Sequence, residues 1–184
     1  MRNNNNIILT KIFLFFILGF FGQSYGEDIT PEKIPSKLLD AIMDIESYKK
    51  DGSPYPYVIS INDSKDIQKL KKYGYVIRKK RHIICYNERE CEDHARFIIN
   101  NLGIKNIDLG LYQVNYRWHG HYKLKDYFNP EASRTIAAIF LAELINKHGY
   151  NYEGVAGYHS FTEEHNERYQ ELLSDALRSS DNDG

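Results

Sequence analysis

Pro35-Ser36-Lys37-Leu38-Leu39-Asp40-Ala41-Ile42-Met43-Asp44-Ile45-Glu46-Ser47 decides how this chain is read. Leu38, Leu39, Ile42 and Ile45 recur at the spacing of one buried helical stripe, so a helix is expected from Ser36 to about Ser47. Advancing ~100° per residue from Leu38 puts Ile42 at ~40°, Leu39 at ~100° and Glu46 at ~80°, between the two apolar neighbours. Asp40 and Asp44 fall at ~200° and ~240°, on the opposite face. The helix therefore exposes two acids and aims a third along its greasy stripe, at its C-terminal end. Desolvation disfavours a charged carboxylate, and so does the negative end of a helix dipole. A Glu kept protonated near neutral pH is what a general acid needs to donate a proton to a glycosidic oxygen. The plainer alternative is a stripe that ends before Glu46, with the side chain curled into water.

Downstream, Gly52, Pro54 and Pro56 break the helical pattern, and Tyr57 to Ile61 is expected as a strand. Ser64 to Tyr73 is charged and fits either a short exposed helix or a loop. Tyr75 to Ile77 and His82 to Tyr86 are expected as β, with the basic run Arg78-Lys79-Lys80-Arg81 between them. Such a run is usually a solvated turn; binding an acidic polymer is the sharper alternative. Glu92 to Leu102 places Ala95, Ile98, Ile99 and Leu102 on one helical face, with Gly103 as a stop. Asn106 to Trp118 is expected to be irregular. Asn129-Pro130 starts a helix with Pro at the first position, running through Ala137, Phe140, Leu141 and Leu144 to Gly149. A last helix covers about Glu163 to Leu177, and Ser179 to Gly184 are expected to be disordered. The pattern is mainly helical, an α+β chain with a small β insert.

The 184 residues suit one domain with a sizeable core. The net charge of −1 gives no global positive field for nucleic acid. Fifteen Tyr suit surfaces that stack and hydrogen-bond at once, as sugar grooves do. The apolar run Ile12 to Phe21 is too short to cross ~30 Å of hydrocarbon comfortably. With Ser24-Tyr25-Gly26 after it, residues 1–26 are expected to be a cleaved signal peptide, leaving a domain over 27–178. An uncleaved anchor is the alternative. Export implies an oxidising compartment, where Cys85 and Cys91 would close a small loop as a disulfide. Two free thiols, or pairing with another chain, stay open. His119, His121 and His159 invite a metal, but no His-Glu-x-x-His pattern is present, and neither metal nor cofactor is expected.

Three blocks now stand in order on α-rich sequence: Glu46-Ser47, then Asp108-Leu109-Gly110-Leu111-Tyr112-Gln113-Val114-Asn115, then Gly157-Tyr158-His159-Ser160. Together they resemble the soluble lytic transglycosylase family, whose pattern is a helix-end Glu-Ser, a Gly-Leu-Met-Gln-Ile-Asn block and a later Tyr-Asn or Tyr-His block. Pro54-Tyr55-Pro56-Tyr57 matches the Pro-Trp-Pro-Trp stretch of the short, exported branch with Tyr for Trp. The similarity runs from about residue 36 to about 177. It implies a lysozyme-like fold, helical with a small β element beside a substrate cleft. It makes Glu46 the sole catalytic acid and base, with Gln113 and Asn115 on the groove floor. Tyr158 would hydrogen-bond near the catalytic carboxyl or the sugar, His159 would pack beside it, and Ser47 would support.

Tyr112 stands where the family carries Met or another apolar residue, so it would reshape the groove. Phe161 follows the third block where small residues are frequent. The implied activity is cleavage of the β-1,4 bond between N-acetylmuramic acid and N-acetylglucosamine in peptidoglycan, with formation of a 1,6-anhydro product. A hydrolytic muramidase is one alternative, favoured if Asp108 faces Glu46; otherwise Asp108 is a turn residue fixing the Leu109-Gly110 bend. A non-catalytic glycan-binding component of an envelope-spanning secretion or motility system is the other. The expected setting is periplasmic, the expected partner a glycan strand, and the expected state a monomer.

Overall fold

The computed structural model describes residues 28–182, with side chains to 179, so the signal-peptide expectation for 1–26 lies outside the described residues. The opening helix, α1 (Ser36–Glu46), buries Leu38, Leu39, Ala41 and Ile42 and leaves Asp40 and Asp44 outside, as its periodicity requires. Ser47 stops it by turning to an extended backbone (ψ 141°).

Where the expected break lies, the chain makes a hairpin instead. Strands β1 (Tyr48–Lys50) and β2 (Ser53–Tyr55) pair antiparallel through Lys50 and Ser53. The two-residue connection Asp51-Gly52 has positive φ at both positions (53° and 84°), the mirror-image turn that matches strand twist. Asp-Gly is the sequence signal for that turn, and the prolines beside it obscured it.

A four-stranded antiparallel sheet has the order β4-β3-β5-β6. Its strands are β3 (Val58–Ile61), β4 (His82–Ile84), β5 (Ile107–Leu109) and β6 (Val114–Asn115). The 106–118 segment is thus partly β, because β5 finds its partner in β3, far away in sequence. Tyr75 to Ile77 forms no strand; only Arg78 bridges to His82. Between β3 and β4, α2 (Ser64–Lys72) is capped by Asp63, whose side chain accepts from Lys65 N at 3.0 Å.

Helix α3 (Glu88–Asn100) begins four residues before the expected start, because Asn87 caps it by accepting from Glu90 N. That places Cys91 inside the helix, bonded to Cys85 just after β4. A short α4 (Tyr116–His119) follows β6. Helix α5 (Pro130–His148) starts at the Asn129-Pro130 signal and stops at Gly149. It is buried over most of its circumference, from Ser133 to Ile145, and forms the centre of the helical core. Arg134 fastens it to α1 by donating to Asp40, Ser36 and the Tyr112 hydroxyl. A short α6 (Tyr152–Ala156) leads to α7 (Glu163–Asn182), which packs on α1 and α6. The tail expected to be disordered from Ser179 is helical as far as Asn182.

The result is a mixed α+β fold, mainly helical, with two small β elements. Among the described residues no helix is long and apolar enough to cross a membrane, and the disulfide is compatible with export.

Candidate active site

A cleft of about 670 Å³ opens between the sheet and the helices. Glu46 enters it from the end of α1, Asp108 from β5, Gln113 from the turn into β6, Asn115 from β6 itself, and Tyr158 and His159 from the loop after α6. Three stretches far apart in sequence meet here because α1 packs on α7 and β5 pairs with β3.

Glu46 keeps 13% of its side chain exposed. Its Oε1 is buried and accepts no hydrogen bond. His159 Nδ1 lies 3.5 Å from Oε1, close enough for attraction when the ring is protonated and long for a hydrogen bond. The His159 ring stacks on Tyr169 of α7, centroids 5.2 Å apart and planes within 6°. The Tyr169 hydroxyl is itself buried without a partner. Burial, with the Glu46 charge adding to it, pushes the Tyr169 pKa well up. Buried polar atoms normally find partners. Here one oxygen of the carboxylate and the Tyr169 hydroxyl beside it both lack one.

The Glu46 carboxylate raises the His159 pKa, against the opposing effect of burial. A His pKa above its usual 6.5 in the fold means stabilisation that is fully present below pH 6.5 and lost as pH rises through the folded value. The melting temperature of wild type minus that of His159→Gln should therefore shrink as the pH rises from 6 to 9. A difference that is flat or grows with pH would remove the His159–Glu46 coupling from the site.

Asp108 is not a turn residue. It sits within β5 with its carboxylate in the cleft, held by three donors. Asn62 Nδ2 and Asn115 Nδ2 reach Oδ1 at 2.8 and 2.7 Å, and Arg81 Nη2 reaches Oδ2 at 2.5 Å. Burial pushes its pKa up while these donors pull it down, and the charge of Glu46 pushes it further up. Two carboxylates in unlike settings share the cleft, one against apolar and aromatic groups and one in a hydrogen-bonded nest.

Gln113 lines the floor at a backbone φ of 47°, a left-handed conformation unusual for a side-chain-bearing residue. Its Nε2 donates to Gly110 O at 2.7 Å, and its Oε1 accepts from Ser60 Oγ. Ser60 also meets His82 Nδ1 at 2.7 Å. The side-chain amide is thus locked by the strand beside it.

Tyr112, Tyr158 and Ser47 stand in different relations to the cleft, and of them only Tyr158 lines it. Tyr112 is buried in the core, its hydroxyl accepting from Arg134 at 2.8 Å, so it does not reshape the groove. The Tyr158 hydroxyl donates to the Tyr112 carbonyl at 2.9 Å, not to Glu46, so it fixes the backbone of the Gln113 turn. Ser47 is buried and absent from the cleft lining. Arg81, Asn62, Trp118 and Phe161 line the cleft, and Tyr169 packs behind Glu46; none was singled out as part of the site from sequence. Trp118 is 73% exposed, and Phe161 lies over Gly157, where a Cβ would meet its ring at 2.1 Å. Exposed rings at a cleft suit the apolar faces of sugars. Among the described residues no cluster of His, Cys, Asp and Glu could hold a metal ion.

No family model matches this chain, no curated protein matches it, and no solved structure matches it. What the cleft can do follows from its own groups.

Proposed function

We propose that this protein cleaves the glycan strands of peptidoglycan as a lytic transglycosylase, exported to the periplasm and built on a lysozyme-like plan. The observation that carries this is the nearly buried Glu46 carboxyl with an unpartnered oxygen, in a cleft shared with Asp108, Gln113 and exposed aromatic rings. A groove of this kind holds a chain of sugar rings by stacking and orients them with side-chain amides.

In the proposed reaction Glu46 gives its proton to the bridging oxygen as the bond from C1 of N-acetylmuramic acid breaks. The 2-acetamido oxygen of the same sugar stabilises C1. Glu46, now a carboxylate, takes the proton of the C6 hydroxyl as that oxygen bonds to C1. The acid is regenerated, no water is consumed, and the product is a 1,6-anhydro sugar. Intramolecular attack has a high effective molarity, which favours it when the cleft holds the ring in place.

Asp108 favours a second reading. A second carboxylate sharing the cleft with a general acid is how retaining glycosidases stabilise or capture C1 before water attacks. The two reactions leave different ends. Digestion of purified sacculi followed by mass spectrometry should give fragments lighter by one water than the reducing sugar, and Asp108→Asn should keep that product. Fragments ending in the reducing sugar, lost in Asp108→Asn, would make the protein a muramidase. Intact strands after prolonged digestion would leave a glycan binder and sink both.

A further inference from the structure

The turn that connects Tyr75–Ile77 to β4 carries four cations in a row and faces two ways. Arg78 and His82 exchange backbone hydrogen bonds, and Arg81 N donates to Arg78 O at 3.1 Å, closing a tight turn over Lys79 and Lys80. Both central residues have left-handed backbones, φ 40° and 71°. Asn-Gly or Asp-Gly would adopt that turn with little strain, whereas two lysines do not. Strain of this kind persists where the residues displayed matter more than the local cost.

Arg81 points to one side, into the catalytic cleft and onto Asp108. Arg78 points to the other, where it lines a separate hollow of about 390 Å³ with Tyr48, Lys50, Val76, Ile84 and Tyr86. Lys50 of this lining has its Nζ 4.5 Å from the centre of the Tyr55 ring, and Lys79, outside the lining, has its Nζ 4.4 Å from the centre of Tyr48, which is part of it. Among the described residues, Lys50, Arg78, Lys79 and Lys80 make no ion pair with a carboxylate. Tyr86 is 85% exposed and Val76 63%, so the cations border open apolar surface. The whole chain carries a net charge of −1, and this concentration of positive charge is local.

Hollow and cleft share a wall. The Tyr48 ring meets His82 at 5.3 Å, and His82 shares Ser60 with Gln113 of the cleft floor. Arg78 and Arg81, at the two ends of one tight turn, have Cα atoms within about 7 Å. We propose that this hollow is a second binding site, for the short carboxylate-bearing peptides that hang from the muramic acid of a glycan strand held in the cleft. Cations would take the free carboxylates, and Val76 and Tyr86 the alanine methyls beside them. This rests on the cleft binding peptidoglycan.

The test compares Glu46→Gln, which removes turnover, with the same protein carrying Lys50→Gln, Arg78→Gln, Lys79→Gln and Lys80→Gln. These four side chains are exposed, and an unchanged melting temperature would verify the fold. Co-sedimentation with intact sacculi should weaken about tenfold, while binding to strands stripped of peptide by an amidase should stay within twofold. Titration with a soluble stem peptide should perturb the Tyr48 and Tyr86 ring resonances in the protein that keeps the four cations and not in the one that lacks them. Equal loss on intact and stripped strands, or no loss on either, overturns the proposal. So does loss confined to vesicles of anionic lipid, which would make the hollow a membrane contact. Should the wild type leave sacculi uncut, the cleft reading falls while the stem-peptide titration still decides the hollow.

Discussion

Glu46→Gln is expected to lower glycan cleavage about 10³-fold or more while leaving glycan binding within about twofold. The substitution keeps the shape of the side chain and replaces its carboxyl by a neutral amide that cannot serve as the acid. Glu46 sits at the end of α1 with Ile42 fully buried one turn before it, so the Gln side chain should occupy the same place. His159 would face an amide in place of the carboxyl 3.5 Å from its Nδ1. Trp118 is the single tryptophan of the chain and lines the cleft, so its fluorescence reports binding without turnover. A variant that cuts at the wild-type rate would remove Glu46 from the mechanism. A variant that also stops quenching Trp118 would make Glu46 a binding residue.

Gly110→Ala is expected to be among the most damaging single changes, costing about 4 kcal/mol or more and lowering Tm by ~10 °C. Gly110 ends β5 at φ 71°, and a Cβ there would lie 1.7 Å from the Tyr127 carbonyl oxygen and 2.8 Å from its carbon. Backbone cannot rotate away as a side chain can, so β5 or the Tyr127 turn must move. Gly110 N bonds Val58 O at 3.0 Å, and its carbonyl receives the Gln113 amide, so the displacement reaches the cleft floor. Gly103→Ala is the control: its φ of 68° is similar, but nothing lies within 4 Å of a Cβ, so it should lose only the ~1 kcal/mol of left-handed strain. Thermal unfolding of the two variants side by side decides the matter; equal losses would show that backbone conformation, not the Tyr127 contact, makes Gly110 necessary.

Both predictions concern residues whose neighbours are remote in sequence, and that divides what was legible. The carboxylate on the apolar stripe could be read because a helix fixes the direction of every side chain from its own spacing. The start of α5 could be read because Asn129 and Pro130 act within one turn, and the Cys85–Cys91 bond because the two ends are six residues apart. The Asp51-Gly52 hairpin was equally local and was obscured by the prolines next to it.

Asp108 stayed between two readings in the sequence for a different reason. Whether it caps a turn or holds a carboxylate in the cleft depends on Asn62 and Arg81, which arrive through the pairing of β3 with β4 and β5. Tyr112 and Tyr158 also could not be assigned from order alone, because a tyrosine beside a site can face the core as readily as the groove. The chain by itself determined a helix that carries an acid along its apolar stripe at its end, a small β insert and a long capped helix, since each follows from periodicity or from contacts within a few residues. Only the tertiary structure decided that Asp108 and Arg81 share the cleft with Glu46 and that Tyr112 does not, because those positions are set by strand pairing and helix packing between distant segments, which no local pattern encodes.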